Sequence, residues 1–350
     1  AAATTSSSAA PLPLGVSPSG GQPASRGPAA GHGGALAPER SVLDALGARA
    51  SYHAYRSGAA IVRLIPEGVG EPVGRAVARL SVRWSAAKRG QVERNLARAT
   101  DGTLQGPALR RAVTETFDSY GRYWYELFHL RGDLDRAELL ADHNMVDGFD
   151  RIVAGCAAGK GVILALPHIG AWDYAGAWLS VQGYPPTVVV EPVEPPELFE
   201  WFADARRRLG MDVVRLDAEA GGRVLRALRD NRVVCLLSDR DIVGDGMEVE
   251  FFGEKTTLPA GPATLALRTG APLLPAAVYF RPHRGHHGVV LPPVPAERQG
   301  RLRADVARVT QELAYRFEEL IRVAPEQWHL MQPNWPSDRV DGENRRSAGV

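Results

Sequence analysis

The chain has 350 residues, of which 45% are hydrophobic and 23% charged, and its formal net charge at pH 7 is +1. These values are ordinary for a globular protein and give no global bias toward nucleic acid as a partner. No apolar stretch approaches the roughly 20 residues of a membrane-spanning helix, so we expect any membrane role to be peripheral.

Residues 1–38 are mostly Ala, Ser, Pro and Gly, with almost no large apolar side chains. Such a segment buries too little surface to offset its ordering entropy, so we predict a disordered tail without chemistry. From Ser41 to about residue 143 the pattern predicts a helical layer, followed by an α/β core at about 144–336. We therefore expect one domain over 41–336 and a flexible C-terminal tail at 337–350.

A basic segment at residues 73–111 has only Glu93 and Asp101 to balance its many arginines. One side of it combines apolar residues at helical spacing with neighbouring cations: Val73, Val77, Leu80 and Trp84, beside Arg75, Arg79 and Arg83. One interpretation is a core-packing helix with a solvated basic face. The other is an amphipathic helix on an anionic membrane, where each nearby Lys or Arg contributes about 1 kcal/mol. The aromatic stripe of the next predicted helix, 109–130, is interpreted as packing.

After about residue 144 the pattern alternates between strand and helix. This predicts an α/β fold with a mostly parallel central sheet flanked by helices, behind an N-terminal helical layer. Under the second interpretation of the basic segment, this N-terminal layer is a membrane-docking layer. Strands are expected near 162–166, 187–190, 212–216, 233–237, 247–252, 273–280 and 289–291. Helices are expected near 144–157, 171–181, 196–209, 220–230 and 301–323, with a further one opening at Pro259.

The stretch 161–176 places His168 at the end of an apolar strand and Asp173 in the first turn of the following helix. Ligands of open α/β sheets collect at the carboxyl ends of the strands, so we expect the chemistry there. An imidazole accepts a proton near neutral pH, and a carboxylate can orient it and stabilise the imidazolium. Because no serine or cysteine is evidently placed as a nucleophile, we expect His168 to deprotonate a substrate hydroxyl that attacks an activated acyl group.

Other polar residues also follow predicted strands and should converge on the same cleft. Glu191 follows the strand at 187–190, and the helix after it ends in Arg206, Arg207 and Arg208. Asp239, Arg240 and Asp241 follow the strand at 233–237. Two alternatives stay open: the arginines stabilise a helix C-terminus, and Asp239-Arg240-Asp241 forms a local ion pair.

Several other motifs fail as sites. The segment 155–161 resembles a phosphate loop, but it has one spacer too few, lacks the Ser/Thr and precedes its strand. His283, His286 and His287 fall in a predicted hairpin turn without a cysteine or carboxylate cluster, so we expect no metal. A serine hydrolase elbow is missing. Cys156 and Cys235 stand apart in apolar settings, which favours a reducing compartment over a disulfide scaffold.

Four blocks in order, HIGAWD, SDRD, MEVEFFGE with TLPAGPATLALRTGAPLLP, and PEQWHLMQPNW, resemble the late lipid A acyltransferase family. Within it the chain is most similar to the phosphatidylinositol mannoside acyltransferases, over about residues 45–336. The resemblance implies a membrane-associated enzyme that moves a fatty acyl chain from a thioester to a sugar or lipid hydroxyl. It places the H-x4-D/E pair at His168 and Asp173, and it implies that Glu191, Arg206, Asp239 and Arg240 line the acceptor site.

Two departures favour the phosphatidylinositol mannoside branch: Asp173 stands where the lipid A enzymes usually carry a glutamate, and no spanning helix is evident. We therefore expect acyl-CoA as co-substrate, with palmitoyl-CoA as the donor, a glycolipid acceptor, no cofactor and no nucleic acid. The expected location is the cytoplasmic face of the plasma membrane, where Arg75, Arg79, Arg83 and Trp84 contact anionic lipid. The alternatives are lipid A-type or glycerol-phosphate acyl transfer and, from a different class, a non-catalytic lipid-binding protein. The acyl length and the oligomeric state stay open.

Overall fold

The computed structural model describes residues 52–53, 55–62, 64–65, 67–130, 145–282 and 285–338. The predicted tail at 1–38, the helix start at Ser41, His283 and nearly all of the predicted C-terminal tail lie outside the described residues. Residues 55–62 are helical, and they are followed by the helices α1 (Glu67–Ser81), α2 (Ala86–Ala99) and α3 (Gly106–Leu130). Gly121 of α3 lets α1 approach closely, because a Cβ there would lie 2.5 Å from the Cβ of Ala78.

The central sheet has seven strands in the order β1-β9-β8-β2-β5-β3-β4. They are β1 (Met145–Asp147), β2 (Val162–Leu166), β3 (Thr187–Val190), β4 (Asp212–Arg215), β5 (Val233–Leu237), β8 (Leu273–Phe280) and β9 (His286–Val290). Neighbouring strands run parallel except for the antiparallel pair β8–β9. A separate antiparallel hairpin consists of β6 (Met247–Phe251) and β7 (Glu254–Leu258).

Helices cover both faces of the sheet. They are α4 (Phe149–Ala157), α5 (Trp172–Val181), α6 (Pro196–Arg208), α7 (Ala220–Arg229), α8 (Gly261–Thr269) and α9 (Leu302–Val323). Alternate residues of β2 enter different cores: Leu164 packs with α4 and α5, whereas Ile163 packs with α7, α8 and α9. The predicted α/β fold with a mostly parallel sheet flanked by helices is thus confirmed.

Three local predictions need correction. The segment 144–157 is a short strand, β1, and a helix, separated by Gly148 at φ 80°. The strand expected at 289–291 begins already at His286, so His286 and His287 belong to β9 and not to a turn. The hairpin strand β7 was missed because its alternating polar residues carry only a weak apolar pattern.

The apolar side of α1 faces outward. Val73, Val77 and Leu80 are exposed, and Trp84 lies beyond the end of the helix at 80% exposure. The stripe therefore does not pack in the core, although α1 itself packs on α3 through the side that carries Gly70 and Gly74, which lie against Tyr125. Within the described residues, no helix has the length and apolar character that crossing a membrane requires.

Candidate active site

The loop after β2 positions His168 at the carboxyl edge of the sheet. β2 is buried along its whole length between β5 and β8, as its continuous apolar run predicts. Gly170 then turns the chain against β8 at φ 58°, where a Cβ would lie 1.9 Å from the Val278 carbonyl oxygen. Only glycine fits this close approach, and it fixes the backbone that carries His168.

The carboxylate that holds His168 belongs to Asp239, directly after β5. The ring Nδ1 of His168 lies 2.6 Å from Oδ1 of Asp239. Oδ2 accepts hydrogen bonds from the His168 backbone N–H at 2.9 Å and from Nε1 of Trp328 at 2.8 Å. Asp239 is fully buried, whereas the His168 side chain remains 23% exposed. Because a carboxylate accepts from Nδ1–H, this arrangement leaves Nε2 of His168 as the proton acceptor.

The surroundings of Asp239 favour its ionised form. Burial alone would raise the pKa of this carboxyl group. The charge of His168 and the hydrogen bonds from His168 and Trp328 outweigh burial and lower the pKa below its ordinary value. An anion fixed behind the imidazole stabilises the imidazolium that forms when Nε2 takes a proton.

Asp173 has different partners from those expected. Arg206 binds it through two hydrogen bonds of 2.6 and 2.9 Å, and the Tyr123 hydroxyl donates to it at 2.7 Å. The expectation that Asp173 orients the His168 ring is corrected, because the structure assigns that contact to Asp239. A catalytic role for Asp173 stays a prediction, while its visible contacts join α5 to α3 and α6.

The charges of this second cluster are mutually compensated. Burial opposes the positive charge of Arg206, yet the Asp173 carboxylate raises the pKa of the guanidinium overall. Burial, followed by the Asp173 charge, raises the pKa of the Tyr123 hydroxyl well above its ordinary value. Tyr123 therefore stays a neutral donor, and Asp173 keeps a bidentate ion pair in a buried setting.

His329 supports His168 from the backbone. Its amide donates to the His168 carbonyl oxygen at 2.7 Å, and its Nε2 lies 2.8 Å from the Ser119 hydroxyl. Burial, together with the charge of His168, lowers the pKa of His329 to about 3. His329 is therefore neutral near pH 7.

A cavity of about 720 Å³ opens beside His168, within the size range of about 300–1,000 Å³ typical of small-molecule sites. Its wall is mainly apolar and includes Leu164, Leu166 and Leu179. Asp173, Glu191, Arg206 and Arg240 also contribute to the wall, and Asp239 lies behind His168. Glu191, Arg206 and Arg240 therefore do converge on one cleft. Arg207 and Arg208, which were expected there too, lie outside it.

The sequence leaves two alternatives open for charged residues outside the strands: a local ion pair in the loop after β5, and arginines that stabilise the end of α6. Asp241 accepts hydrogen bonds from the amides of Gly244 and Gly246, at 2.8 and 3.0 Å, and Asp239 is taken by His168. The local ion pair proposed for this loop is thus replaced by other contacts. Arg207 pairs with Glu200 and Asp204 on the helix surface, and stabilisation of the helix C-terminus by the arginines stays a prediction. Among the described residues, no three His, Cys, Asp or Glu side chains cluster as metal ligands.

Sequence reasoning missed Trp328, Tyr123 and His329 as parts of the site. Trp328 and His329 lie within the block PEQWHLMQPNW, which carried the resemblance but had no assigned role. Tyr123 lay in the aromatic stripe interpreted as packing; it is indeed buried, and its hydroxyl also contacts Asp173.

The arginines predicted to bind a membrane differ in whether they already form ion pairs within the protein. Arg75 donates to Asp118 at 2.5 and 2.9 Å and to Glu71 at 3.2 Å, and Arg79 lies 3.2 Å from Asp118. Arg83 is exposed beside Trp84. The ion pairs of Arg75 and Arg79 tie α1 to α3, whereas Arg83 has no ion pair with any residue that the structure describes.

Sequence comparisons agree with this architecture. The profile of the family described as bacterial lipid A biosynthesis acyltransferase matches residues 46–337. A phosphatidylinositol mannoside acyltransferase of Mycobacterium tuberculosis (strain CDC 1551 / Oshkosh) is 38% identical over 300 residues, which is 84% of this chain and 90% of the relative. A protein of the same name from Mycolicibacterium smegmatis is 37% identical over 312 residues, which is 87% of this chain and 97% of the relative. A lipid A biosynthesis acyltransferase of Haemophilus influenzae is 28% identical over 186 residues, which is 52% of this chain and 55% of the relative.

Proposed function

The chain belongs to the bacterial lipid A biosynthesis acyltransferase family, and we propose that it transfers a fatty acyl group from acyl-CoA to a mannose hydroxyl of a phosphatidylinositol mannoside. It is an acyltransferase by its relatives, and the two mycobacterial relatives carry the name that supports this acceptor. The observation that carries the proposal is the 2.6 Å hydrogen bond between His168 and Asp239 at the wall of an apolar cavity.

In the proposed reaction, Nε2 of His168 takes the proton of the acceptor hydroxyl. The hydroxyl oxygen attacks the thioester carbonyl carbon, a C–O bond forms, and the C–S bond breaks as the tetrahedral intermediate collapses. The leaving thiolate takes the proton back from the imidazolium, so no proton is gained or lost. Asp239 holds Nδ1–H and stabilises the transient positive charge. Proton transfer by a positioned side chain such as His168 contributes about 10²–10⁴-fold to the rate in general acid–base catalysis.

The apolar part of the cavity would hold the acyl chain. Each methylene moved from water into such a wall contributes about 0.8 kcal/mol, which favours a long-chain donor such as palmitoyl-CoA. Glu191, Arg206 and Arg240 lie in the same wall and would contact the polar groups of the acceptor or donor. Backbone amides at the start of α5 are the proposed donors to the thioester oxyanion.

The proposed setting is the cytoplasmic face of the plasma membrane. The exposed apolar side of α1 and Trp84 would enter the lipid interface, with Arg83 meeting anionic headgroups. The exposure of Val77 at 61% and of Trp84 at 80% supports this orientation, because a water-facing stripe of this kind is unfavourable without a partner.

The acceptor is tested by offering the protein palmitoyl-CoA with a phosphatidylinositol mannoside, a lipid A precursor or glycerol 3-phosphate, and identifying acylated products by mass spectrometry. We expect a mass increase of one palmitoyl group on the mannoside alone. If only the lipid A precursor or only glycerol 3-phosphate were acylated, the proposed acceptor would be wrong, although acyl transfer itself would be confirmed.

A further inference from the structure

A second cavity, of about 440 Å³, lies between the helical residues 55–62 and α6. Its wall contains Tyr52, Arg56, Ala59, Trp201, Asp204 and Arg208. The aromatic floor is fixed, because Trp201 and Ala59 belong to one buried cluster with Leu198. The rim, in contrast, is charged.

The charges of this second cavity do not cancel. Arg56 donates to the Tyr52 hydroxyl at 2.9 Å, and its guanidinium carbon lies 5.4 Å from the centre of the Tyr52 ring. Arg208 has no acidic partner within the part of the chain that the structure describes. The carboxylate of Asp204 is engaged by Arg207 at 2.8 Å. Two guanidinium groups therefore line a cavity whose carboxylate is already paired.

We propose that this second cavity binds the phosphodiester of an anionic lipid, and that the lipid is the acceptor of the proposed reaction, on which the inference rests. Guanidinium groups match phosphate oxygens in charge and in geometry, through paired N–H donors. The rings of Tyr52 and Trp201 add amphipathic walls suited to a sugar or glycerol next to the phosphate.

Two features of the surroundings favour a lipid as the source of the phosphate. Ile61 and Leu64, on the segment that carries Arg56, are strongly exposed and would lie in the same lipid interface as α1. The helix α6 also borders both cavities: Arg206 lines the active-site cavity and Arg208 lines the second one. A lipid anchored by its phosphate at Arg208 would thus be held on the helix that also borders the reaction site.

The double variant Arg56→Gln/Arg208→Gln tests the proposal, with Arg316→Gln as control. Arg316 is a half-exposed arginine on α9 that pairs with Glu312 and Glu319 and lines neither cavity. In the transfer assay we expect the KM for the mannoside to rise about tenfold or more in the double variant, since hydrogen bonds to charged groups are lost. The kcat and the KM for palmitoyl-CoA should stay at wild-type values, which also verifies folding. Unchanged acceptor KM would overturn the proposal.

Vesicle flotation gives a second readout that does not depend on transfer activity. Phosphatidylcholine vesicles are compared with vesicles that also contain phosphatidylinositol, phosphatidylglycerol or the mannoside. Selective loss of mannoside-vesicle binding in the double variant supports the assignment of the mannoside to this cavity, even if the proposed reaction fails. Equal loss for all three anionic lipids would overturn that assignment in favour of a general phosphate site. Binding that matches the Arg316→Gln control throughout would overturn the site itself.

Discussion

Trp328 donates its indole N–H to Oδ2 of Asp239 at 2.8 Å, which ties the C-terminal segment to the carboxylate that holds His168. Both residues are buried, and their positions in the sequence differ by 89. Asp239 thereby accepts one hydrogen bond from the His168 ring and two from groups that fix its orientation. The proposed general base is thus positioned by a segment distant in the chain.

Replacing this indole should slow the reaction without weakening substrate binding. In Trp328→Phe the carboxylate loses one charge-assisted hydrogen bond, a loss of about 1.5–3 kcal/mol in a buried setting. Its pKa should rise, because the bond favours the charged form. We expect kcat to fall about tenfold or more with the acceptor KM unchanged. A change confined to KM would contradict this role.

The pair Asp173–Arg206 should matter most for stability. Asp173→Ala leaves a buried guanidinium without its carboxylate, and removing one partner of a buried ion pair costs about 3–5 kcal/mol. Urea unfolding at pH 7 should show this loss in the free energy of unfolding. Glu312→Gln, which removes a more exposed pair with Arg316, should cost less than about 1 kcal/mol. Equal stabilities of Asp173→Ala and wild type would refute the structural role.

His329 should make the protein less stable at mildly acidic pH. Its folded pKa of about 3 lies below the unfolded value of 6.5, so the unfolded state binds the proton first as the pH falls. Stability is therefore lost progressively below pH 6.5 until about pH 3, with a loss of about 2 kcal/mol between pH 7 and pH 5.

The variant His329→Gln removes this titration while keeping a group that can bond to Ser119. We expect the difference in unfolding free energy between wild type and variant to shift by about 2 kcal/mol in favour of the variant between pH 7 and pH 5. Parallel pH dependences of the two proteins would show that His329 is not buried in its neutral form.

Membrane binding should depend on the apolar side of α1 more than on Arg75. The double variant Val77→Ser/Trp84→Ser should release the protein from anionic vesicles in flotation, because both side chains are strongly exposed. Val323→Ser provides a matched control on α9, since Val323 is 67% exposed. Arg75→Gln should lower the free energy of unfolding, because the ion pair with Asp118 is lost, and should leave vesicle binding unchanged. Retained binding in the double variant would place the docking surface elsewhere.

Local patterns were sufficient for most of the fold. The apolar run at 162–166, stopped by Pro167 and Gly170, predicted β2 and the position of His168 at its end. The alternation of strands and helices predicted the parallel sheet. The pattern did not predict β1, because this strand is only three residues long, or β7, because this strand is polar at alternate positions.

The partner of His168 could not be read from local spacing. Asp173 stands near it in sequence, but a helix turn can direct a carboxylate away from the preceding loop, here toward Arg206 and Tyr123. The contact with Asp239 arises because β2 and β5 are neighbours in register, with Leu166 opposite Leu237, so that the residues after both strands meet. Strand order is a tertiary property that the apolar pattern does not specify.

The central claim is that Nε2 of His168, held by Asp239, takes the proton of the acceptor hydroxyl. It is tested most directly by single-turnover transfer from labelled palmitoyl-CoA to the mannoside, for wild type, His168→Ala, Asp239→Asn and Asp173→Asn. We expect His168→Ala to abolish transfer, Asp239→Asn to lower its rate by about 10²-fold or more, and Asp173→Asn, where folded, to retain much more activity than Asp239→Asn. Transfer at the wild-type rate in His168→Ala, or in Asp239→Asn, would contradict the account.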